Sequence, residues 1–173
     1  MVHYIKIENF DPVKDMAEMN FEVAEQVEDA YEVTMPDGRH LLKLAYIYGA
    51  NASGKTTILK AFEFLRNLLL KPVTDKGIEL DFEPFLFRSA PYKKSSRFEL
   101  SFYVEGTRYV YQLSFNKQAI LDEKVVFYQT AKPTELFSRS TDVKKRLAKV
   151  QFGSKIKVPA REKDLLESNT LHN

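Results

Sequence analysis

Two glycines, a lysine and two threonines stand at fixed spacing between residues 49 and 57, where they could bind the phosphates of a nucleotide. Residues 49–56 read Gly-Ala-Asn-Ala-Ser-Gly-Lys-Thr and fit the pattern G-x-x-x-x-G-K-[ST] at every position. Glycines let the backbone curl so that its N–H groups point at phosphate oxygens. Lys55 would then reach the β- and γ-phosphates, and the Thr56 hydroxyl would be a ligand of a bridging Mg²⁺.

Elements of the required kind flank this loop in the sequence. Residues 41–48 form a dense apolar run of strand length, which predicts a β-strand. Residues 57–70 predict a helix that ends at Lys71-Pro72. Its apolar side chains recur at helical spacing: Ile58, Ala61, Phe62, Leu65, Leu68 and Leu69. The loop would therefore open a helix, whose N-terminal partial positive charge favours an anion, and this context argues against a glycine-rich turn that binds nothing.

Length and composition limit the remaining possibilities. The 173 residues suffice for one domain, and 13 Phe with 9 Tyr indicate a folded core. Cysteine is absent, which excludes disulfides and thiolate metal sites. We interpret His3, His40 and His172 as surface or edge residues, because they lie far apart in the sequence. No apolar run reaches 18 residues and the N-terminus lacks a signal-peptide pattern, so we expect a cytoplasmic protein without a membrane partner.

Charge is distributed unevenly along the chain. Ten acidic residues lie between Glu8 and Asp37, where Lys14 is the only base. Residues 143–163 have the opposite character, with one acid, Glu162, and eight bases: Lys144, Lys145, Arg146, Lys149, Lys155, Lys157, Arg161 and Lys163. This basic segment could follow the phosphates of DNA or RNA. It could equally be the solvated side of a helix and its following loop, which is the more common meaning of such a run.

The rest of the chain has mainly β character. Strands are predicted at residues 2–9, 21–24, 31–35 and 120–128, and a hairpin joins 97–104 to 108–115 through Glu105-Gly106-Thr107. Weak helical patterns cover 141–150 and 161–167. We expect one domain over 1–173, in three parts: strands, loop and first helix in 1–71, an antiparallel β region in 72–130, and a basic, weakly helical segment in 131–173. Because only one strand–helix unit is convincing, this α/β fold would have an incomplete parallel core.

Hydrolysis would require an acidic residue at the end of a second strand, and two places could supply it. Residues 119–123 read Ala-Ile-Leu-Asp-Glu, three apolar residues followed by two acids. The apolar stretch continues beyond them to Tyr128, so Asp122 and Glu123 are better interpreted as exposed positions at the start of a hairpin strand. Residues 78–81, Ile-Glu-Leu-Asp, are a weaker candidate because a charge interrupts the run.

Several segments resemble one family of ATPases. The loop with Asn51 at its third position is similar to the variant of ABC-type ATPases in the SMC/RecF/OLD group, and residues 5–10, Ile-Lys-Ile-Glu-Asn-Phe, resemble their first strand. Residues 47–62 are also similar to bacterial predicted ATPases related to OLD nucleases, a family associated with anti-phage and abortive-infection systems. Phe82-Glu-Pro-Phe85 and the hairpins after Arg97 fit the same pattern. The resemblance covers only the N-terminal part of such proteins.

This resemblance implies a P-loop fold, ATP and Mg²⁺ as cofactors, and a role for each loop residue. Gly49 would open the loop. The backbone N–H groups of four residues would hold phosphate: Asn51, Ala52, Ser53 and Gly54. Lys55 would neutralise charge that develops during catalysis, Thr56 would hold Mg²⁺, and Thr57 would reach the α-phosphate.

In the family, ATP lies between two heads, and the signature motif of one head caps the loop of the other. No Leu-Ser-Gly-Gly-like signature occurs in this sequence. We therefore expect ATP binding with little or no hydrolysis by the chain alone. A second head, a missing C-terminal half and a nuclease effector are the expected partners. Two alternatives stay open: a nucleotide-binding or regulatory module without turnover, and a self-sufficient small kinase or GTPase. The kinase or GTPase is disfavoured because the guanine-reading Asn-Lys-x-Asp pattern is absent.

Overall fold

An antiparallel sheet of seven strands dominates the computed structural model, which describes residues 1–24, 28–51, 53–71, 79–145 and 147–168. The strands are β1 (Val2–Glu8), β2 (Ala17–Asn20), β3 (Glu32–Thr34), β4 (His40–Leu42), β5 (Ser96–Val104), β6 (Thr107–Phe115), β7 (Ile120–Tyr128), β8 (Thr134–Asp142) and β9 (Leu147–Phe152). The helices are α1 (Lys55–Leu70) and α2 (Ala160–Ser168). The large sheet has the order β2-β1-β5-β6-β7-β8-β9, and β3 and β4 form a separate ribbon.

The central strands form because apolar and polar side chains alternate along them. Phe98 of β5 faces Leu113 of β6 in register, and both are buried on the same face of the sheet. The β5–β6 turn consists of Glu105 and Gly106, which both have positive φ, the conformation that a two-residue hairpin turn requires. The predicted hairpin and the predicted strand at 120–128 are therefore confirmed.

Helix α1 packs across one end of this face and closes the core. Phe115 is fully buried, and its ring lies 4.8 Å from the rings of both Phe64 and Phe82 and 5.2 Å from that of Phe98. Phe10, which follows β1, lies 4.9 Å from Phe98. Aromatic rings at these separations attract one another beyond their simple burial. This cluster fixes α1, and with it the loop that precedes the helix.

The ribbon of β3 and β4 covers part of the opposite face. Leu41 is fully buried and packs with Met35 and Tyr103. His3 lies under the same ribbon: its Nε2 is 3.1 Å from Glu22 Oε2, and its Nδ1 is 3.3 Å from Ser101 Oγ. The interpretation of His3 as a surface or edge residue is therefore wrong, since only 5% of it is exposed and its strand β1 lies between β2 and β5. His40 is exposed, and His172 lies outside the described residues.

The structure corrects the prediction of a helix at 141–150. Those residues form the end of β8, a turn and most of β9, so the antiparallel region extends to Phe152. Ala148 and Val150 are buried while Leu147, Lys149 and Gln151 are exposed, a period-two pattern that the neighbouring lysines obscured. The predicted helix at 161–167 is confirmed as α2.

The predicted strand at 41–48 is wrong beyond Leu42, and the residues from 43 to 50 are irregular and exposed. A strand needs a neighbour for its backbone N–H and C=O groups, and no strand in the described ranges pairs with residues 43–50. All strand pairs among the described residues are antiparallel, so the parallel core is not present there. The strand expected at 21–24 falls instead at Ala17–Asn20, with only a single bridge from Glu22 to Leu41.

Candidate nucleotide-phosphate site

The loop of residues 49–54 leads directly into the first turn of α1, as the sequence predicts. Gly54 stands immediately before the helix in the left-handed region, with φ of 88°, which is costly for any residue with a Cβ. At Gly49, a Cβ would lie only 2.6 Å from Ser53 Oγ. The backbone of the loop thus favours glycine at position 54, whereas a side chain at position 49 would displace the Ser53 hydroxyl. Lys55 and Thr56 begin a helix of 16 residues.

The Lys55 side chain folds over its own loop. Its Nζ donates hydrogen bonds of 2.7 Å to the Gly49 carbonyl and 2.6 Å to the Ala50 carbonyl, and lies 3.5 Å from Ser53 Oγ. In the described part of the chain, no carboxylate forms an ion pair with this amine. The positive charge at the loop is therefore held in place by neutral groups and can attract an anion.

A cavity of about 440 Å³ lies beside the loop and is lined by Ser53, Gly54, Lys55, Thr56 and Thr57 on one side. The segment after β1 and residues 83–87 form its other side. Asp11 and Glu83 carry the carboxylates in this lining. Lys60 Nζ lies 2.7 Å from Asp11, and Lys117 Nζ lies 2.9 Å from Glu83. Because each of these two carboxylates forms an ion pair with a lysine, the positive charge of Lys55 is not neutralised by them.

Asn9 holds the far side of the cavity in position. This residue is fully buried, its φ is 55°, and its side-chain amide donates a 3.0 Å hydrogen bond to the Lys94 carbonyl. Its Oδ1 accepts a 3.3 Å hydrogen bond from the Phe85 backbone N–H. Two residues later, Asp11 N donates to the Glu83 carbonyl at 2.7 Å. The Asn-Phe at the end of the first strand therefore ties β1, the start of β5 and the cavity wall together.

The hydroxyl groups at the start of α1 differ in their exposure. Thr56 is exposed on the cavity side, where its hydroxyl oxygen could be one ligand of Mg²⁺. Phosphate and water oxygens would supply the other ligands. Thr57 also lines the cavity, but only 4% of it is exposed. Its backbone N–H donates a 3.0 Å hydrogen bond to the Gly54 carbonyl. Asn51 and Ser53 are exposed, and Ala52 lies outside the described residues. The residues present fit a magnesium-bound nucleotide phosphate.

Neither acidic candidate for hydrolysis lines the loop cavity. Asp122 is exposed and lies in a groove on the open face of the sheet, beside Arg97 and Gln112. Glu123 points the other way and is 5% exposed, so its expected exposure is wrong. Glu79 and Asp81 are exposed and do not line the cavity either. The structure thus places five of the predicted site residues around the cavity, namely Ser53, Gly54, Lys55, Thr56 and Thr57, whereas Gly49 and Asn51 do not line it. No strand carboxylate in the described ranges lines this cavity to bind Mg²⁺.

Sequence reasoning missed the opposite wall of the cavity. Four residues of this wall lie about 30 to 40 positions from the loop in sequence: Asp11, Glu83, Leu86 and Phe87. Only Glu83 falls in a segment that the family resemblance covers, Phe82-Glu-Pro-Phe85, and that resemblance assigns it no role. Phe87 is 88% exposed, which is unusual for a phenylalanine and gives the cavity a flat apolar surface. The exposed ring at the mouth of a phosphate site is a feature that only the folded chain reveals.

Within the described ranges, no cluster of three or more His, Asp or Glu side chains is arranged to hold a metal ion by itself. Neither helix in those ranges is long and apolar enough to cross a membrane.

Comparison with known families agrees with this geometry. Residues 44–169 match the family described as "AAA domain, putative AbiEii toxin, Type IV TA system". The match begins just before the phosphate loop and ends at the close of α2, and it covers more than half of the chain. The chain therefore belongs to this family of AAA domains, whose membership implies nucleotide binding. No curated protein matches the chain.

Proposed function

We propose that this chain binds ATP with Mg²⁺ through residues 49–57 as part of an ATPase head. One observation carries the proposal: Lys55 Nζ lies within 2.7 Å of two loop carbonyls, at a helix N-terminus beside a cavity of about 440 Å³. Backbone N–H groups of Asn51 and Gly54 would contact phosphate oxygens, and Thr56 would hold Mg²⁺. The Ser53 N–H would do so only after leaving its 3.3 Å hydrogen bond to the Ala50 carbonyl. Thr57, with its amide bonded within the helix turn, could reach the α-phosphate only through its hydroxyl.

Binding would redirect Lys55 from the loop to the ligand. Its two contacts with the carbonyls of Gly49 and Ala50 are ordinary charge–dipole hydrogen bonds. Each of these bonds joins a charge to a neutral dipole, whereas a bond to a phosphate oxygen joins two opposite charges, so the exchange is favourable when a nucleotide is present. The helix N-terminus contributes in the same direction.

Turnover would depend on groups from outside the described residues. The two carboxylates that line the cavity, Asp11 and Glu83, are each bound to a lysine, and Asp122 lies elsewhere. In the role that we propose, ATP-dependent pairing with a second head or a C-terminal half completes the site and controls a nuclease or other effector. The exposed apolar residues just before the loop support this idea, since Tyr46 is 72% and Tyr48 is 85% exposed.

The alternative is a nucleotide-binding or regulatory module without turnover of its own. The antiparallel structure around the loop favours it for the isolated chain. The two differ in one result: phosphate release that increases steeply with chain concentration supports pairing of heads, whereas ATP binding without phosphate release at any concentration supports the module.

Calorimetric titration with Mg²⁺ and a non-hydrolysable ATP analogue tests the binding itself. We expect saturable binding by the wild-type chain and a loss of about tenfold or more in affinity for Lys55→Ala, because one charge-assisted contact is removed. Lys71→Ala is the matched control: Lys71 is exposed at the far end of α1, about 24 Å from Lys55 along the helix axis. Equal affinity of Lys55→Ala and Lys71→Ala would refute the assignment.

A second candidate function is nucleic-acid binding by the basic segment 143–163. Six bases in it are exposed: Lys144, Lys145, Lys149, Lys155, Lys157 and Arg161. Lys145 pairs with Asp142 at 3.8 Å and the half-buried Lys163 pairs with Glu167 at 3.8 Å. The other five exposed bases form no ion pair among the described residues, so they are available to phosphates.

A further inference from the structure

A second cavity, of about 780 Å³, lies at the end of the sheet opposite to the phosphate loop. The two ends of β1 show this separation. The chain runs from Glu8, at the end of β1, to Asp11 in the loop cavity, whereas Val2, at the start of β1, pairs with Phe102, which is next to Tyr103 of the second cavity. The turn at 36–39, the β5–β6 turn and residues 128–131 after β7 enclose this space. Its chemistry is independent of the nucleotide site.

Arg108 is the central group of this second cavity. Its side chain is only 16% exposed, and its guanidinium lies 3.7 Å from the centre of the Tyr128 ring. The Nε–H is buried and has no hydrogen-bond acceptor within the described ranges. The nearest carboxylate oxygen, Asp37 Oδ2, is 3.9 Å from Nε, which is an ion-pair distance but too long for a hydrogen bond. Stacking on the tyrosine thus fixes the guanidinium, and its two Nη groups, which form no hydrogen bond among the described residues, are the donors left for a ligand in the cavity.

Asp37 does not satisfy Arg108 because other groups already occupy its carboxylate. Tyr103 donates a 2.7 Å hydrogen bond to Asp37 Oδ2, and Arg39 donates to the same oxygen through Nη1 and to Oδ1 through its backbone N–H. Burial alone would raise the pKa of Asp37, but the bonds from Tyr103 and Arg39 outweigh it and hold that pKa below its ordinary value. Arg39 also pairs with Glu22, whose Oε2 lies 4.0 Å from Arg39 Nε, but Glu22 does not line the cavity. The lining itself therefore holds two guanidinium groups and one carboxylate.

We propose that this cavity binds a small molecule through a phosphate monoester, with Arg108 as the principal ligand and Arg39 as a second one. A guanidinium presents two parallel donors that match the oxygens of a phosphate. The hydroxyls of Thr107 and Thr130, which also line the cavity, suit a polar organic group next to the phosphate. The volume exceeds what a lone phosphate fills, so the ligand is larger than inorganic phosphate.

Titration with inorganic phosphate, followed by NMR chemical shifts, tests this site directly. The Lys55→Ala chain serves as background, because it removes the competing phosphate site at the loop. We expect saturable shifts at residues around the second cavity, and a loss of about tenfold or more in affinity on Arg108→Gln. Lys132→Gln is the matched control, since Lys132 is exposed near the same end of the sheet but does not line the cavity.

A second variant keeps the test decisive if Arg108→Gln fails to fold. Arg108→Lys retains the charge and loses the two-pronged donor, so it should bind phosphate several-fold more weakly than the parent. Equal phosphate binding in Arg108→Lys, Lys132→Gln and the parent would overturn the proposal, as would acetate binding without phosphate binding. Binding of the ATP analogue by Arg108→Gln in the wild-type background should be unchanged, so failure of one site is distinguishable from failure of the other.

Discussion

The phenol of Tyr111 donates a 2.8 Å hydrogen bond to Glu123 Oε1 on the buried face of the sheet. Arg139 completes the group, with Nη1 3.9 Å from the other oxygen of Glu123. All three residues are at most 7% exposed. Burial and the negative charge of Glu123 raise the pKa of Tyr111, and burial lowers the pKa of Arg139. Glu123, one of the acids that the sequence offers for hydrolysis, is therefore part of a buried polar network between β6, β7 and β8.

Removing the Glu123 carboxylate should destabilise the protein strongly. Glu123→Leu would remove the carboxylate that pairs with the buried Arg139, and breaking a buried ion pair costs about 3–5 kcal/mol in free energy of unfolding. Urea denaturation measures this loss. Asp122→Asn is the matched control, because Asp122 is the exposed neighbour on the opposite face and should change stability by less than about 0.5 kcal/mol. If both variants lose the same stability, the network does not carry the energy assigned to it.

The local patterns predicted the elements whose partners are close in sequence. The hairpin of β5 and β6 and the helix α1 follow from period-two and period-3.6 spacing, which depend on neighbouring residues alone. The residues from 43 to 50 show the opposite case. Their apolar content indicates a buried strand, but whether a strand forms depends on a hydrogen-bonding neighbour that local sequence does not specify.

The same distinction applies to the candidate site. The loop residues from Gly49 to Thr57 could be assigned because a fixed spacing within one segment produces the whole phosphate-binding geometry. Asp11, Glu83 and Phe87 could not, because three separate segments meet there through long-range contacts such as the Asp11 N–H to the Glu83 carbonyl. His3 was misjudged for a related reason, since the ribbon that buries it lies about 20 to 40 residues further along the chain.

The buried His3 should make stability depend on pH. Burial lowers the pKa of His3 below 6.5, and the hydrogen bond and charge of Glu22 offset this only in part. Between the folded and unfolded pKa values the unfolded chain binds more protons, so stability is full above about pH 6.5 and decreases as the pH falls through the folded pKa. Denaturation midpoints at about pH 5.5 and 7.5 measure the difference.

His3→Gln should flatten this dependence because it removes the titrating ring. His40→Gln serves as control, since it removes an exposed histidine and leaves the contact between His3 and Ser101 intact. The pH dependence should persist in that control. If the two variants show the same slope, other groups are responsible.

Phe87 should contribute to nucleotide affinity through its exposed ring. Stacking of a base on an aromatic side chain is worth about 1–3 kcal/mol, so Phe87→Ala should weaken binding of the ATP analogue by about fivefold or more. Inorganic triphosphate has no base, and its affinity should be the same for the parent and the variant. Tyr31→Ala, which removes another exposed ring outside the cavity, is the control. Equal losses for the analogue and for triphosphate would mean that Phe87 shapes the loop rather than contacting a base.

The basic segment should give any binding of double-stranded DNA a measurable salt dependence. Each lysine that contacts a phosphate contributes about one unit to the slope of log affinity against log salt. Lys155→Gln combined with Lys157→Gln should therefore reduce that slope by about two units, measured by fluorescence anisotropy with a labelled oligonucleotide. Lys71→Gln combined with Lys132→Gln removes the same charge from exposed positions outside the segment and should leave the slope nearly unchanged. Equal slopes in the two double variants, or no binding at about 50 mM salt, would assign the segment to the solvated surface instead.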